Sequence, residues 1–136
     1  YKVTGVQTCA LPISSIPSGQ RNRFRFGVSS NGSDDFSKSA ESMSTINTGQ
    51  WYFVVGWYDE DADTVNIQVD DGAVDSGAGP TSLHESTYQL EFGGLSPFSI
   101  LDGRLDSMFY YNRLLTSDER SWLYNGGRGR SFSELS

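Results

Sequence analysis

Asp59, Asp61 and Asp63 stand at alternate positions in the run DEDAD. A hard cation such as Ca2+ is held by several carboxylate and carbonyl oxygens drawn from one short loop, so these three are the candidate metal ligands. They do not make an EF-hand, because Thr64 and Asp70 fall where that loop needs its glycine and its bidentate glutamate. A solvated acidic hairpin tip is the competing reading, since charge runs commonly only hydrate a turn. Asp106 is a different kind of carboxylate. Counting by two along Leu101–Asn112 (LDGRLDSMFYYN), it shares a face with Met108 and Tyr110. A carboxylate buried among apolar neighbours is tolerated only when N–H groups, a hydroxyl or a cation satisfy it. Asp106 is therefore read as structural, pinning the corner that contains Asn112 and Arg113. His84, the lone histidine, sits in a loop without a G-x-S-x-G elbow or a reactive cysteine, so it has no nucleophilic partner. Asn125–Arg130 (NGGRGR) could form an anion nest or simply stop a helix, and Asn31-Gly32-Ser33 fits the short glycosylation sequon. Trp57, Tyr58, Tyr88, Tyr110 and Tyr111 could stack on sugar rings if they are exposed, although strand periodicity would bury most of them.

The bulk numbers bound these readings. A chain of 136 residues suits one domain. Ten Lys and Arg against 17 Asp and Glu leave a net charge of −7, which argues against nucleic acid as a partner. The longest apolar run, Trp51–Tyr58, is far shorter than the roughly 20 residues that cross a bilayer. Cys9, the single cysteine, lies within Val3–Ile13 (VTGVQTCALPI). That stretch resembles one reading frame of a widely used sequencing-library adapter, so residues 1–13 are set aside as an artefact and residues 14–136 are read as the domain. The domain then has no cysteine for a disulfide or a thiolate zinc site.

Period-two alternation dominates the elements that must position these side chains. Arg23–Ser30 alternates arginine with phenylalanine, as a half-buried strand does. A long polar connection follows, with one short strand expected around Ser42–Ile46. Trp51–Tyr58 (WYFVVGWY) is apolar on both faces, the pattern of a central strand. Val65, Ile67 and Val69 alternate with polar residues and form a hairpin with it across DEDAD. Asp71-Gly72 supplies the next tight turn, Asp75–Glu85 reads as a loop, and Tyr88–Phe92 reads as a short strand ended by Gly93-Gly94. After the last strand, Thr116 and Glu119 make a capping box for a helix of about two turns. Trp122, Leu123 and Tyr124 form its apolar side, and Asn125-Gly126-Gly127 ends it. This pattern places Trp51, Val54 and Met108 in the core.

WYFVVGWYD at 51–59, VNIQVDDG at 65–72, LEFGG at 90–94 and LDGRLDSMFYYNRLLTSDERSWLY at 101–124 resemble, in order and spacing, the laminin-G-like (concanavalin A-like) jelly-roll family. The C-terminal run is the strongest part, with its D-G-x-[LI]-D strand, its aromatic-Asn-Arg-x-Leu corner and its capped helix ending in Leu-Tyr. The resemblance implies an all-β antiparallel β-sandwich of jelly-roll type with one short C-terminal helix. It also implies that the sandwich is N-terminally incomplete, because the adapter-like segment stands where the first strands belong. An unpaired edge and poor solubility are then expected. The family carries an Asp at the position of Asp106 and often binds calcium in loops. Glycosidases of this fold place paired carboxylates on one strand face, whereas Glu91 is flanked at matching parity by Gln89 and Gly93, so the reading is of no enzyme. The implied function is a non-catalytic module of an extracellular, cell-surface or virion protein that binds carbohydrate, or a purely structural module of a larger assembly. Its partner would be a glycan or a protein.

Overall fold

The computed structural model describes residues 4–10, 23–31, 39–41, 45–83, 94–95, 99–100 and 103–135. In chain order the strands are β1 (Thr4–Ala10), β2 (Arg25–Gly27), β3 (Ser39–Glu41), β4 (Tyr52–Asp59), β5 (Thr64–Val69), β6 (Val74–Ala78), β7 (Gly94–Leu95), β8 (Ser99–Ile100) and β9 (Leu105–Tyr111). The helix α1 (Ser117–Tyr124) and short 3-10 turns over Asn125–Gly127 and Phe132–Glu134 follow. One sheet runs β6-β5-β4-β1-β9, and the pairs β2-β3 and β7-β8 stand apart from it. Each ladder is antiparallel. No described helix is long and apolar enough to cross a membrane.

Alternation along β4 divides the core in two. Val54 and Tyr58 face the β2-β3 side with Val65, Ile67 and Ala40, where Phe24, Phe26 and Val28 cover them. Phe53 and Val55 turn the other way to meet Leu115 and Leu123, ringed by Trp57, Tyr111, Tyr124 and Leu135. β4 is thus covered on both sides, which is why its sequence is apolar at nearly every position. Gly56 lets the layers close up: a Cβ there would lie 2.5 Å from Cγ of Phe26.

The β4–β5 hairpin has the register Tyr58↔Val65 and Asp59↔Thr64. The turn into β6 sits one residue earlier than the sequence suggests. Asp70 and Asp71 take φ of 52° and 57°, and the Gly72 N–H bonds the Val69 carbonyl at 2.9 Å. Two consecutive left-handed residues make this a type I′ turn, whose twist suits a two-residue hairpin. The Asp70 carboxylate also accepts the Phe53 N–H at 2.8 Å.

Several sequence expectations shift. The edge strand β6 (Val74–Ala78) takes in the start of the stretch Asp75–Glu85 that reads as loop, because backbone pairing with β5 outweighs poor strand propensity. Within the long connection a short strand is described at Ser39–Glu41 and Ile46 is buried, while residues 42–44 of the expected strand lie outside the described residues. Of the three residues assigned to the core, Val54 is buried, but Trp51 is 51% and Met108 47% exposed. Trp51 precedes the first paired residue of β4, and Met108 lies on the outermost strand of the sheet, which has a neighbour on one side only. Thr4–Ala10, set aside on its adapter-like sequence, pairs between β4 and β9. The Tyr88–Phe92 strand, His84 and Glu91 lie outside the described residues.

Candidate functional site: an aromatic cleft beside the last strand

β9 alternates half-buried Leu105, Ser107, Phe109 and Tyr111 with exposed Asp106, Met108 and Tyr110. Phe109 and Tyr111 stand on the same side as the core under the helix, and Tyr111 packs directly against it. Ser107 has φ of 51°, where the ladder with β1 shifts register between Gln7 and Cys9. A β-bulge of this kind re-aims the side chains that follow it. Those side chains are Met108 and Tyr110, the latter 50% exposed.

The corner after β9 is held by charge. Nη1 and Nη2 of Arg113 donate to the two carboxylate oxygens of Glu119, at 2.8 and 2.6 Å. The same carboxylate accepts the Thr116 N–H at 2.8 Å, while Thr116 Oγ1 accepts the Glu119 N–H at 3.2 Å. The capping box and the ion pair are therefore one network. The Arg113 guanidinium, followed by the Thr116 bonds, lowers the Glu119 pKa to about 2. Arg113 is raised in turn, chiefly by its bond to Glu119. Burial raises the neighbouring Tyr111 phenol.

A second clamp docks α1 on the sheet. Arg120 Nε donates to Gln68 Oε1 at 2.7 Å, its Nη1 donates to the Leu115 carbonyl at 2.7 Å, and its guanidinium lies 4.4 Å from the centre of the Trp57 ring. Gln68 Nε2 donates to the Gly72 carbonyl at 2.8 Å, and Ser121 Oγ donates to Asp71 at 2.8 Å. With the helix so fixed, Leu123 points inward. Trp122, one residue and about 100° earlier, points out and is 46% exposed. The Arg130 guanidinium lies 4.1 Å from the centre of the Trp122 ring, and its Nε donates to the Trp122 carbonyl at 2.8 Å.

Between β9 and α1 these residues leave a cleft of about 530 Å³, lined by Met108, Tyr110, Arg113, Glu119, Trp122 and Leu135 among others. Its lining combines aromatic and aliphatic side chains with the paired guanidinium and carboxylate of Arg113 and Glu119. Ring faces of this kind pack against C–H surfaces, while the rim offers directional hydrogen bonds. Glu119 is the one carboxylate in the lining, and Arg113 and Thr116 hold it ionised.

The residues that the sequence put forward lie elsewhere or play other parts. Asp59 Oδ1 accepts the N–H groups of Asp61 and Ala62 at 3.0 and 3.2 Å, closing the turn, and Asp63 has a left-handed backbone at φ 49°. No group of three or more His, Cys, Asp or Glu that could hold a metal occurs among the described residues. Asp106 is exposed rather than buried and accepts a bond from Ser107 Oγ at 3.3 Å. The burial expected of it fails because its face of β9 is uncovered. Asn112 is exposed as well, and the corner is pinned by Arg113 and Glu119 instead. Tyr58 is buried and donates to the Pro80 carbonyl at 2.6 Å, and Trp57 is taken up by Arg120, so neither is open to a ligand. Tyr88 lies outside the described residues, as do Gly32 and Ser33 of the sequon. Asn125, Gly126 and Gly127 have φ of 51°, 62° and 88° and stop the helix. Sequence reasoning assigned Trp122 to the packed side of α1. The signal against that was present, since three consecutive residues sweep about 200° of a helix and cannot share one face.

Comparison with known families gives one match: the sequence model described as the concanavalin A-like lectin/glucanases superfamily matches residues 12–119, a span that takes in β2 through β9 and begins beyond β1. No curated protein and no solved structure matches.

Proposed function

Because this chain belongs to the concanavalin A-like lectin/glucanases superfamily, we propose that it is a non-catalytic binding module that recognises carbohydrate through the cleft between β9 and α1. The observation that supports this reading is one cleft whose lining includes Tyr110 and Trp122, each about half exposed, together with the bidentate Arg113–Glu119 pair. Tyr110 and the free face of Trp122 offer stacking surfaces for a sugar ring, and the charged pair orients its hydroxyls. An extracellular, cell-surface or virion setting is part of the proposal, since glycans are displayed there.

The test is a glycan array followed by titration calorimetry on the leading glycan. Trp122→Ala and Tyr110→Ala should each weaken binding about tenfold, which is about 1.4 kcal/mol, with the far-UV spectrum unchanged and no sensitivity to EDTA. Undiminished binding by both variants would refute the cleft as the site. A clean array, with stable oligomers formed through a protein partner, would select the structural-module reading in its place.

A further inference from the structure

The charges in the cleft are already matched to each other. Among the described lining residues, Arg113 carries the positive charge and Glu119 the negative one. Nη1 of Arg113 is shared between Glu119 Oε2 at 2.8 Å and the Leu114 carbonyl at 3.1 Å, and Nη2 meets Oε1 at 2.6 Å. An ion pair exposed to water is ordinarily weak. This one is held by more than its own attraction. Glu119 Oε2 also accepts the Thr116 N–H at 2.8 Å, so the carboxylate cannot swing away from Arg113 without opening the capping box that starts α1. Two parallel N–H···O bonds are also how arginine recognises an oxyanion on a ligand. Glu119 therefore stands where the anionic group of such a ligand would sit.

A sugar hydroxyl both donates and accepts, so it can bridge a carboxylate oxygen and an arginine N–H at once. A uronate or a sulfate only accepts, and it meets the Glu119 oxygens as a like charge. Asp106 adds an exposed carboxylate on the face of β9 that carries Met108 and Tyr110. We propose that Glu119 is the specificity-determining residue of the cleft: as an internal counter-ion on Arg113 it excludes uronate-bearing and sulfated glycans and confines the cleft to uncharged sugars. This assignment rests on reading the cleft as a glycan site.

Glu119→Gln isolates the charge, because glutamine can still complete the capping box. Binding of dextran sulfate oligomers is measured by titration calorimetry at about 0.15 M salt, where exposed charges more than about 8 Å apart are largely screened. The Glu119→Gln chain should bind them at least about fivefold tighter than wild type, as expected for removing one like charge in near contact. Adding Arg113→Gln to it should abolish the gain. Asp118→Asn, which changes the net charge equally at a neighbouring residue outside the lining, should show none. On the glycan array, wild type should retain uncharged glycans over their sulfated or uronate-bearing counterparts. The proposal is overturned by a wild-type preference for the acidic counterparts, by no gain in Glu119→Gln, or by an equal gain in Asp118→Asn. Loss of the cleft reading itself has a different signature: an array without hits, or glycan binding undiminished in both Trp122→Ala and Tyr110→Ala, removes the site and this assignment with it.

Discussion

Removing the Arg120 side chain should loosen α1 from the sheet, and the structure gives the size of the effect. Arg120→Ala deletes two charge-assisted hydrogen bonds, to Gln68 Oε1 and to the Leu115 carbonyl, both at 2.7 Å, and a guanidinium–indole contact at 4.4 Å. Bonds from a charged donor contribute roughly 1.5–3 kcal/mol each, and a partly desolvated cation–π contact adds about 1 kcal/mol. These terms share one side chain and do not add in full. Water entering the vacated space solvates part of what is left, and Gln68 keeps its bond to the Gly72 carbonyl. A net loss of about 3 kcal/mol follows, which for a domain of this size lowers Tm by about 10 °C. Arg120→Lys keeps the charge but cannot reproduce the two-pronged geometry, so it should fall between wild type and the alanine variant. Thermal unfolding followed by circular dichroism and by calorimetry measures the shift. An Arg120→Ala chain that melts within about 2 °C of wild type would refute the view that this clamp docks the helix.

Glu119 should make the helix start sensitive to acid. Its folded pKa of about 2 lies below the ordinary 4.5, so its contribution is in place above the unfolded value and is lost as pH falls through about 2. Helical ellipticity should therefore decline between these limits, and Glu119→Gln should flatten that part of the titration. Gly56→Ala forces a Cβ to within 2.5 Å of the Phe26 ring and should cost about 1–3 kcal/mol by overpacking. Denaturant unfolding of Gly56→Ala, Phe26→Leu and the double variant should give a double-variant loss smaller than the two single losses combined.

The architecture was legible in the sequence wherever a pattern was local. Apolar residues on both faces of Trp51–Tyr58 announced a covered central strand, and β4 is buried on both sides because different layers close over its two faces. Thr116 and Glu119 announced the helix start, since a capping box is completed within four residues and needs no distant partner. Asn125, Gly126 and Gly127 announced its end for the same reason. The β4–β5 hairpin followed from alternation on either side of DEDAD.

What the sequence could not decide is which faces are covered, because that depends on elements far away in the chain. Asn66 and Gln68 look like solvent-facing residues of an alternating strand, yet both are buried. Asn66 is paired with Ser76 and Thr64, and Gln68 with Arg120 and Gly72, on the side where α1 lies. Asp106, Met108 and Tyr110 look like a core-facing stripe and are exposed, because β9 is the last strand of its sheet and no element among the described residues covers that face. Periodicity fixes which residues share a face. Only tertiary packing assigns that face to the core or to water, and here that assignment turns Tyr110 and Trp122 from expected core residues into the walls of a cleft.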